Sequence, residues 1–273
     1  MSTKVDEITT AAIGEAPSRE PWNWAAIAWF GGLLVFLYLP VLVRLVAHWD
    51  NDEDMSHGFF VPLIAGYIVW QKRRELASIQ LRPNWLGLIV VIYAGFQFLV
   101  ATLGVELFLA RTSFVIAIWG IVFLLGGWPL FRAVLFPLFL LFLMVPIPAI
   151  LYNEITFPLQ LFASSVAETV LSALGYPVLR EGNVLELASQ RLQVVEACSG
   201  IRSLLALTFL ALVYGHFFTR TLWIRVALFL STVPIAISAN AGRVTFTGIL
   251  SEINPEYAAL QDERTAQNAI VFT

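Results

Sequence analysis

The sequence predicts an all-α polytopic membrane protein with about seven transmembrane or membrane-embedded helices. Hydrophobic residues make up 59% of the 273 residues and charged residues only 13%, whereas a soluble domain carries about 25% charged residues. Several apolar runs reach or approach the ~20 residues that cross a bilayer as a helix. The net charge of −3 does not fix the orientation, because local Lys and Arg counts do.

Alternating polar and apolar stretches predict the first spans and the loops between them. Residues 1–23 are polar and lack the apolar core of a cleavable signal peptide, so we expect a disordered cytoplasmic tail. A span from about Trp24 to Ala47 follows, and a shorter apolar segment runs from Phe59 to Trp70. The stretch QKRRELASIQLR (71–82) is the most basic in the chain, and the positive-inside rule places it in the cytoplasm. The polar turn at 48–58 then faces outward.

The middle of the chain repeats this pattern. We expect spans at about 85–105, 112–125 and 133–152, separated by an outer turn at Glu106–Arg111 and an inner turn at 126–132. Residues 153–175 predict a helix of mixed polarity, either interfacial or buried against other helices.

A short β-hairpin interrupts the helical pattern before the cysteine. Residues 182–197 alternate imperfectly between apolar and polar side chains. Bare strand edges are not tolerated in hydrocarbon, so the hairpin is expected on the extracytoplasmic side. The helix Cys198–Phe218, the basic turn at 219–225 and a span at about 223–239 follow. Both basic turns then place Cys198 and Arg243 at the outer face.

Cys198 is the first candidate functional residue, since it is the only cysteine in the chain. At the first turn of a helix, the helix dipole and unpaired backbone N–H groups favour thiolate over thiol. Arg202, four residues later, adds a positive charge on the same helix face. A single cysteine excludes an intrachain disulfide and argues against a thiolate metal site. The sequence predicts neither a metal site nor a cofactor.

Arg243 is the second candidate, and Asn240 lies one turn before it. An arginine at a membrane boundary commonly snorkels to the headgroups. Its fixed donors also suit an oxyanion that forms when a thiolate attacks a carbonyl.

Cysteine chemistry of this kind also needs a proton shuttle, usually a histidine. His216 lies about 27 Å along the helix from Cys198, at 1.5 Å per residue. His48 reads as interfacial, and His57 is the histidine expected on the outer side. Glu168 and Glu196 are further residues that would order the site, although a structural role is the commoner one for each.

Three blocks of sequence together resemble the exosortase family of bacterial inner-membrane cysteine transpeptidases, which has archaeosortases as archaeal relatives. They are REGNVLEL (180–187), EACSGIRSL (196–204) and PIAISANAGRVTFTGIL (234–250). Residues 56–76 and 146–183 resemble earlier segments of the family. The resemblance implies an exosortase-like transmembrane domain at 24–255.

The resemblance also implies a function. By its motifs, Cys198 would be the nucleophile and Arg243 the catalytic arginine. The residue patterns described above, rather than the resemblance, add Arg202, Asn240, Glu196 and His57 as candidate accessory residues. The substrates would be exported proteins with C-terminal sorting signals of the PEP-CTERM type, which are cleaved and transferred to an acceptor. The family accompanies exopolysaccharide production, so polysaccharide-assembly proteins and the lipid bilayer are expected partners, and nucleic acid is not. The location would be the bacterial inner membrane, with the active site facing the extracytoplasmic side.

The C-terminal end departs from the family pattern. The family's histidine follows the NxxR helix and leads into one more span, whereas residues 256–273 contain no histidine and predict a divergent or truncated tail. Three explanations remain: a truncated chain, a degenerate member, or His57 as the substitute. The alternative function is a catalytically impaired homologue that acts as a non-catalytic membrane binding or assembly module.

The predicted orientation has a direct test. A membrane-impermeant thiol reagent should label Cys198 in spheroplasts, because the outer face is exposed to the reagent. Cys198→Ala is the control and should remove all labelling, since no other cysteine is present. Labelling only after the membrane is opened would overturn the orientation.

Overall fold

The computed structural model describes residues 24–253 apart from 189–190, 195–200 and 220. The two predicted tails, Glu196 and Cys198 lie outside the described residues. The described part is mostly helical and forms two compact units. Unit 1 holds the chain up to Leu45 and Pro62–Phe142, and unit 2 holds Val46–Val61 and the chain from Leu143 onward.

The elements of the first half are helices. In chain order they are α1 (Trp24–Asn51), a 3-10 segment (Glu53–Phe59), α2 (Phe60–Gln71), α3 (Arg73–Ser78), α4 (Leu86–Leu103), α5 (Leu107–Ala133), α6 (Leu135–Leu140) and a second 3-10 turn (Leu141–Met144). The second half adds a sheet. Its elements are α7 (Ala149–Ala173), β1 (Val178–Glu181), β2 (Val184–Leu187), β3 (Arg191–Gln193), α8 (Ile201–Phe218) and α9 (Leu222–Ile253).

Four helices of the described chain are long and apolar enough to cross a membrane. They are Ala25–Asn51, Leu86–Leu103, Leu107–Ala133 and Leu222–Leu250. A fifth span results if Leu135–Met144 and Ala149–Ala173, which are bent by 83°, count as one. The prediction of a polytopic helical membrane protein is therefore confirmed, but the count of about seven is not. The expected seven included shorter helices, and α2 has only 12 residues.

Unit 1 is built around the pairing of α4 with α5. The turn between them is shorter than expected, because α5 begins at Leu107 and the Glu106 side chain caps it. Both carboxylate oxygens of Glu106 accept backbone N–H groups, from Phe108 at 3.1 Å and Leu109 at 2.5 Å. Such a cap satisfies donors that a helix start leaves unpaired.

The inner turn expected at 126–132 is instead a break within α5. Gly127 adopts φ 65° and ψ −161°, and Pro129 follows. A Cβ at Gly127 would collide with the carbonyl oxygen of Arg82, so a larger residue does not fit this turn of backbone. The helix is interrupted at Gly127 and continues beyond it as far as Ala133.

In unit 2, a three-stranded antiparallel sheet replaces the predicted two-stranded hairpin. It begins at Val178, earlier than expected, and its strand order is β1-β2-β3. One face packs on α7 and α9. The shared apolar core consists of Ala163, Ala167, Leu185, Val194 and Val244, with Val178 and Leu192 against it.

α9 continues well past the point where the sequence predicts a helix end. The span expected to stop near 239 runs to Ile253, so Asn240 and Arg243 lie inside a helix. Asn240 and Val244 are buried one turn apart. The helix continues through this polar stretch because one of its faces packs against protein.

Arg111 gives the fold a testable feature. It was expected in a turn, but it lies in α5, is only 6% exposed, and its Nε has no hydrogen-bond partner among the described residues. A buried guanidinium keeps its charge, so a buried Nε–H group without a hydrogen-bond partner is costly.

We therefore expect Arg111→Met to raise the stability of the purified protein by about 1–4 kcal/mol, the range for replacing buried ion pairs by well-packed apolar side chains. Thermal unfolding in detergent measures the change. Arg132→Met, at an exposed position of the same helix, is the control and should change little. A lower unfolding temperature for Arg111→Met would contradict the expectation.

Candidate functional site

The chain is anchored in unit 2 shortly before the undescribed segment that contains Glu196 and Cys198. Val194 is 1% exposed. Its N–H donates to the carbonyl of Asn183 at 2.9 Å, and its carbonyl accepts from Asn183 Nδ2 at 3.1 Å. Asn183 Nδ2 also donates to Oε1 of the buried Gln160 on α7, at 3.0 Å. The strand end is therefore tied through one amide to a helix.

The chain is anchored again directly after that segment. Arg202, the second residue of α8, donates through Nε to Oδ1 of Asp54 at 2.6 Å. The Tyr152 hydroxyl, in the first turn of α7, donates to the other oxygen of Asp54 at 2.6 Å. The Asp54 side chain is only 13% exposed. Its carboxylate thus joins the 3-10 segment, α7 and α8, and charge-assisted bonds of this length are strong.

The 3-10 segment is itself held in place. Asp52 caps it by accepting from the N–H of Asp54 at 2.9 Å. Gly58 lies against the indole of Trp49, where any Cβ would overlap the ring. The Trp49 Nε1 donates to the carbonyl of Met144 at 2.9 Å. The glycine after His57 therefore serves close packing.

His57 lies within this segment and is 9% exposed. Its Nε2 is 3.2 Å from the carbonyl oxygen of Leu143, and its ring is 6.2 Å from the ring of Phe209. Phe209 follows Arg202 by two helical turns, so the segment runs along one face of α8. Burial lowers the pKa of His57, and hydrogen bonds with the carbonyls of Leu143 and Asp54 oppose that shift. These contacts fit a structural histidine.

Arg243 and Asn240 sit on α9 beside the same part of unit 2. The Arg243 side chain is exposed and Asn240 is buried. Asn240 is the polar member of an otherwise apolar cavity between α7, α8 and α9. The lining consists of Leu159, Ala163, Leu204, Val233, Ala236, Ile237 and Asn240.

Two acidic residues near the sheet, Glu168 and Glu186, are paired with arginines. Glu168 accepts from Arg180 at 2.9 Å, which ties α7 to β1. Glu186 pairs with Arg191 across β2 and β3. The described residues contain no group of three or more His, Cys, Asp or Glu side chains placed to hold a metal ion.

Unit 2 therefore brings together the neighbours of both candidate catalytic residues. Val194, four residues before Cys198, and Val244, next to Arg243, share one core. Leu204, two residues after Arg202, and Asn240, one turn before Arg243, line one cavity. Cys198 itself lies outside the described residues.

A family model described as "Transmembrane exosortase" matches residues 49–272, more than half of the chain. The chain belongs to the transmembrane exosortase family. No curated protein and no solved structure matches it. The exosortase resemblance found in the sequence is thereby confirmed, and exosortases are transpeptidase-like membrane enzymes.

The site contains residues that sequence reasoning missed. Asp54 and Tyr152 hold Arg202, and Asn183 with Gln160 holds Val194. The available signal was local: Asp54 precedes His57 by three residues, which places both on one side of a 3-10 turn. The partner of Asp54, however, is 148 residues away, and a single sequence carries no sign of that pairing.

The lowered pKa of His57 predicts a pH-dependent stability for this exosortase. Because the folded protein holds fewer protons on His57 than the unfolded chain does, stability is fully present above pH ~6.5. It is then lost as the pH falls through the folded-state pKa. The unfolding temperature of the wild type should therefore drop more between pH 7.5 and 5 than that of His57→Gln.

His48→Gln is the matched control, because His48 is a partly exposed histidine of the same region. It should keep the acid-dependent loss. An identical pH profile for wild type and His57→Gln would contradict the assignment.

Proposed function

We propose that this exosortase is a membrane cysteine transpeptidase in which Cys198 is the nucleophile and Arg243 stabilises the oxyanion. The supporting observation is the core shared by Val194 and Val244. Cys198 follows Val194 by four residues, and four residues of chain span at most about 14 Å, so the chain length limits how far Cys198 can lie from that core. The exosortase motifs around both residues point to the same pair.

The reaction follows from the chemistry of a thiolate. The sulfur of Cys198 attacks the scissile carbonyl carbon, and the carbonyl oxygen becomes an oxyanion that Arg243 donors stabilise. The C–N bond then breaks, the leaving amine takes a proton, and a thioester to Cys198 remains. An acceptor nucleophile attacks this thioester, forms the new bond and releases the thiolate.

The proton for the leaving amine requires a general acid. His57 is the candidate within the described residues, although its contacts with Leu143 and Phe209 favour a structural role. The substrates we propose are exported proteins with C-terminal sorting signals of the PEP-CTERM type. We place the protein in the bacterial inner membrane with its site facing outward, in a system linked to exopolysaccharide.

The second candidate function is a non-catalytic membrane module that binds sorting signals or assembles with polysaccharide machinery. The observation in its favour is the burial of His57 against two backbone carbonyls and an aromatic ring, which leaves the proton shuttle unassigned. Loss of a general acid or base commonly lowers a rate by about 10²–10⁴-fold.

Co-expression with a signal-bearing substrate separates the two functions. Processing should vanish with Cys198→Ala and fall about 10²–10³-fold with Arg243→Ala, the usual effect of removing an oxyanion donor. Mass spectrometry of the substrate C-terminus measures both cleavage and transfer. Arg132→Ala, on an exposed part of unit 1, is the control and should process normally.

Two results would overturn the proposal. Processing that survives Cys198→Ala would exclude the thiol mechanism. Binding of the signal helix without any cleavage by the wild type would favour the non-catalytic module. His57→Ala decides the shuttle: a loss of processing at unchanged protein level supports His57, and full processing removes it from the mechanism.

A further inference from the structure

We propose that unit 1 binds an anionic phospholipid, with the headgroup at the basic stretch 71–82 and an acyl chain in an aromatic cavity between α4 and α5. The cavity is lined by Val90 of α4 and by Trp119, Phe123, Trp128 and Phe131 of α5. This inference goes beyond the proposed function, since it involves neither Cys198 nor Arg243. It rests on the position of the basic stretch beside the cavity, within one unit.

The cavity lies where α4 and α5 are held in close contact. A Cβ at Gly87 of α4 would collide with the backbone of Leu124, and a Cβ at Gly120 of α5 would collide with Val91. Small residues allow membrane helices to approach each other in this way. Two of the lining residues adjoin these contacts in sequence, so the helix pairing fixes their positions.

The wall that α5 contributes is aromatic and apolar. The rings of Trp128 and Phe131 stack with centroids 5.9 Å apart, and Phe123 meets Phe131 edge-on at 5.4 Å. The indole N–H of Trp119 is used, because it donates to the carbonyl of Leu138 at 3.0 Å. Among the lining side chains, only Trp128 has a further polar atom.

The size and chemistry of the cavity suit an apolar chain. Its volume is about 180 Å³, whereas one water needs ~10–15 Å³ together with two to four polar partners. The lining offers too few polar atoms to order water at that volume. A hydrocarbon chain fills such a space without requiring a hydrogen bond.

The basic stretch 71–82 packs against the same wall. Its Leu76 is buried in a core with Leu130 of α5, and Trp119 and Phe131 pack against that core. These two aromatic side chains therefore belong both to the cavity and to the contact that holds the basic stretch.

Polar contacts hold both ends of the stretch beside α5. Near its start, Lys72 Nζ donates to the carbonyl of Ala133 at 3.5 Å. At its end, the N–H of Arg82 donates to the carbonyl of Gly126 at 3.3 Å. The part of α5 between these two contacts carries two of the lining aromatic residues. The cations of the stretch are therefore placed next to the cavity.

The charge of the stretch selects an anionic partner. It contains one acid, Glu75, and four cations, Lys72, Arg73, Arg74 and Arg82. Arg74 and Arg82 are exposed. A cluster of about four or more Lys and Arg residues beside a membrane helix is typical of anionic-lipid recognition. The positive-inside rule places this cluster at the cytoplasmic leaflet.

Exposed tryptophans indicate the depth of the site in the membrane. Trp70 directly precedes the basic stretch, Trp85 follows it, and Trp128 lines the cavity; each is more than half exposed. Tryptophan is enriched at the level of the headgroups. A phospholipid at that level meets the cations with its phosphate and the cavity with its chain. A free anion has no chain, and an apolar partner helix has no negative charge.

Lipid binding to the purified full chain tests the proposal. After delipidation in detergent, native mass spectrometry should show tighter binding of phosphatidylglycerol than of phosphatidylcholine with the same acyl chains. Added salt should narrow this difference, because it screens exposed charges. Inorganic phosphate at the same concentration should not displace the lipid.

A first pair of variants tests the headgroup site. Arg82→Gln should weaken phosphatidylglycerol binding about fivefold, the effect of one charge at a membrane surface, and leave phosphatidylcholine binding unchanged. Arg44→Gln is the matched control, because Arg44 is an exposed arginine of α1 in the same unit. It should leave the binding of both lipids unchanged.

A second pair tests the cavity. Val90→Phe fills part of the cavity and should weaken the binding of both lipids about tenfold, the effect of withdrawing roughly two CH₂ groups from apolar burial. Ile89→Phe makes the same kind of change at an exposed position of α4 outside the lining. It should bind both lipids normally. Arg82→Gln keeps the test decisive even where Val90→Phe does not fold, because Arg82 is exposed.

Four results would overturn the proposal. Equal binding of the two lipids by the wild type would exclude a site for an anionic headgroup. Normal lipid binding by a folded Val90→Phe protein would exclude the cavity as the chain site. Displacement of the lipid by inorganic phosphate would identify a site for a free anion, and a dimer that Val90→Phe dissociates would identify a protein contact. None of these results depends on substrate processing, so they are independent of the reaction proposed for Cys198.

Discussion

The candidate site depends on the small apolar core that joins the sheet to α7 and α9. Leu185 lies in β2 and Val194 directly follows β3, while Ala163 and Ala167 come from α7 and Val244 from α9. Two alanines on α7 let the strands approach the helix closely, and burial at roughly 25 cal/mol per Å² of apolar surface holds them there. Without this contact, the chain before Cys198 and the helix turn of Arg243 would have no common support.

The polar contacts of unit 2 act on top of that core. The Asp54 side chain keeps only 13% of its surface exposed, and the cost of desolvating its charge is offset by bonds from Arg202 and Tyr152. Removing one partner of such a pair leaves a partly desolvated charge without its partner, which costs more than the pair itself stabilises. The main effect of this network is therefore to fix one arrangement of the 3-10 segment, α7 and α8. Its contribution to overall stability is smaller.

Sequence patterns predicted the membrane class, α1 and the α8 helix, because long apolar runs and basic turns report directly on transfer into a bilayer. They placed the end of α9 too early and predicted a turn where α5 has only a break at Gly127. Hydropathy is averaged over all faces of a helix, so it does not show which polar residues face protein. Asn240 lowers the local hydropathy, yet it is buried against protein. The third strand and the Asp54 pairing escaped for another reason: both depend on contacts between distant residues. Sequence motifs identified the cysteine and the arginine. The residues that hold the neighbouring chain in place were identified only from the structure.

The two arginines of the site differ in what their surroundings permit. Arg202 is bound through Nε to a carboxylate, so its charge is compensated where it stands and its role is to orient the helix that follows the cysteine. Arg243 lies on the exposed side of a helix turn whose other side is locked into the core through Val244. An oxyanion forms only during the reaction, and donors stabilise it best when they are already in place. The backbone of the Arg243 turn is held by Val244 in the core, whereas the Arg202 side chain is itself held by Asp54. The role proposed for Arg243 therefore does not extend to Arg202, whose charge Asp54 already compensates.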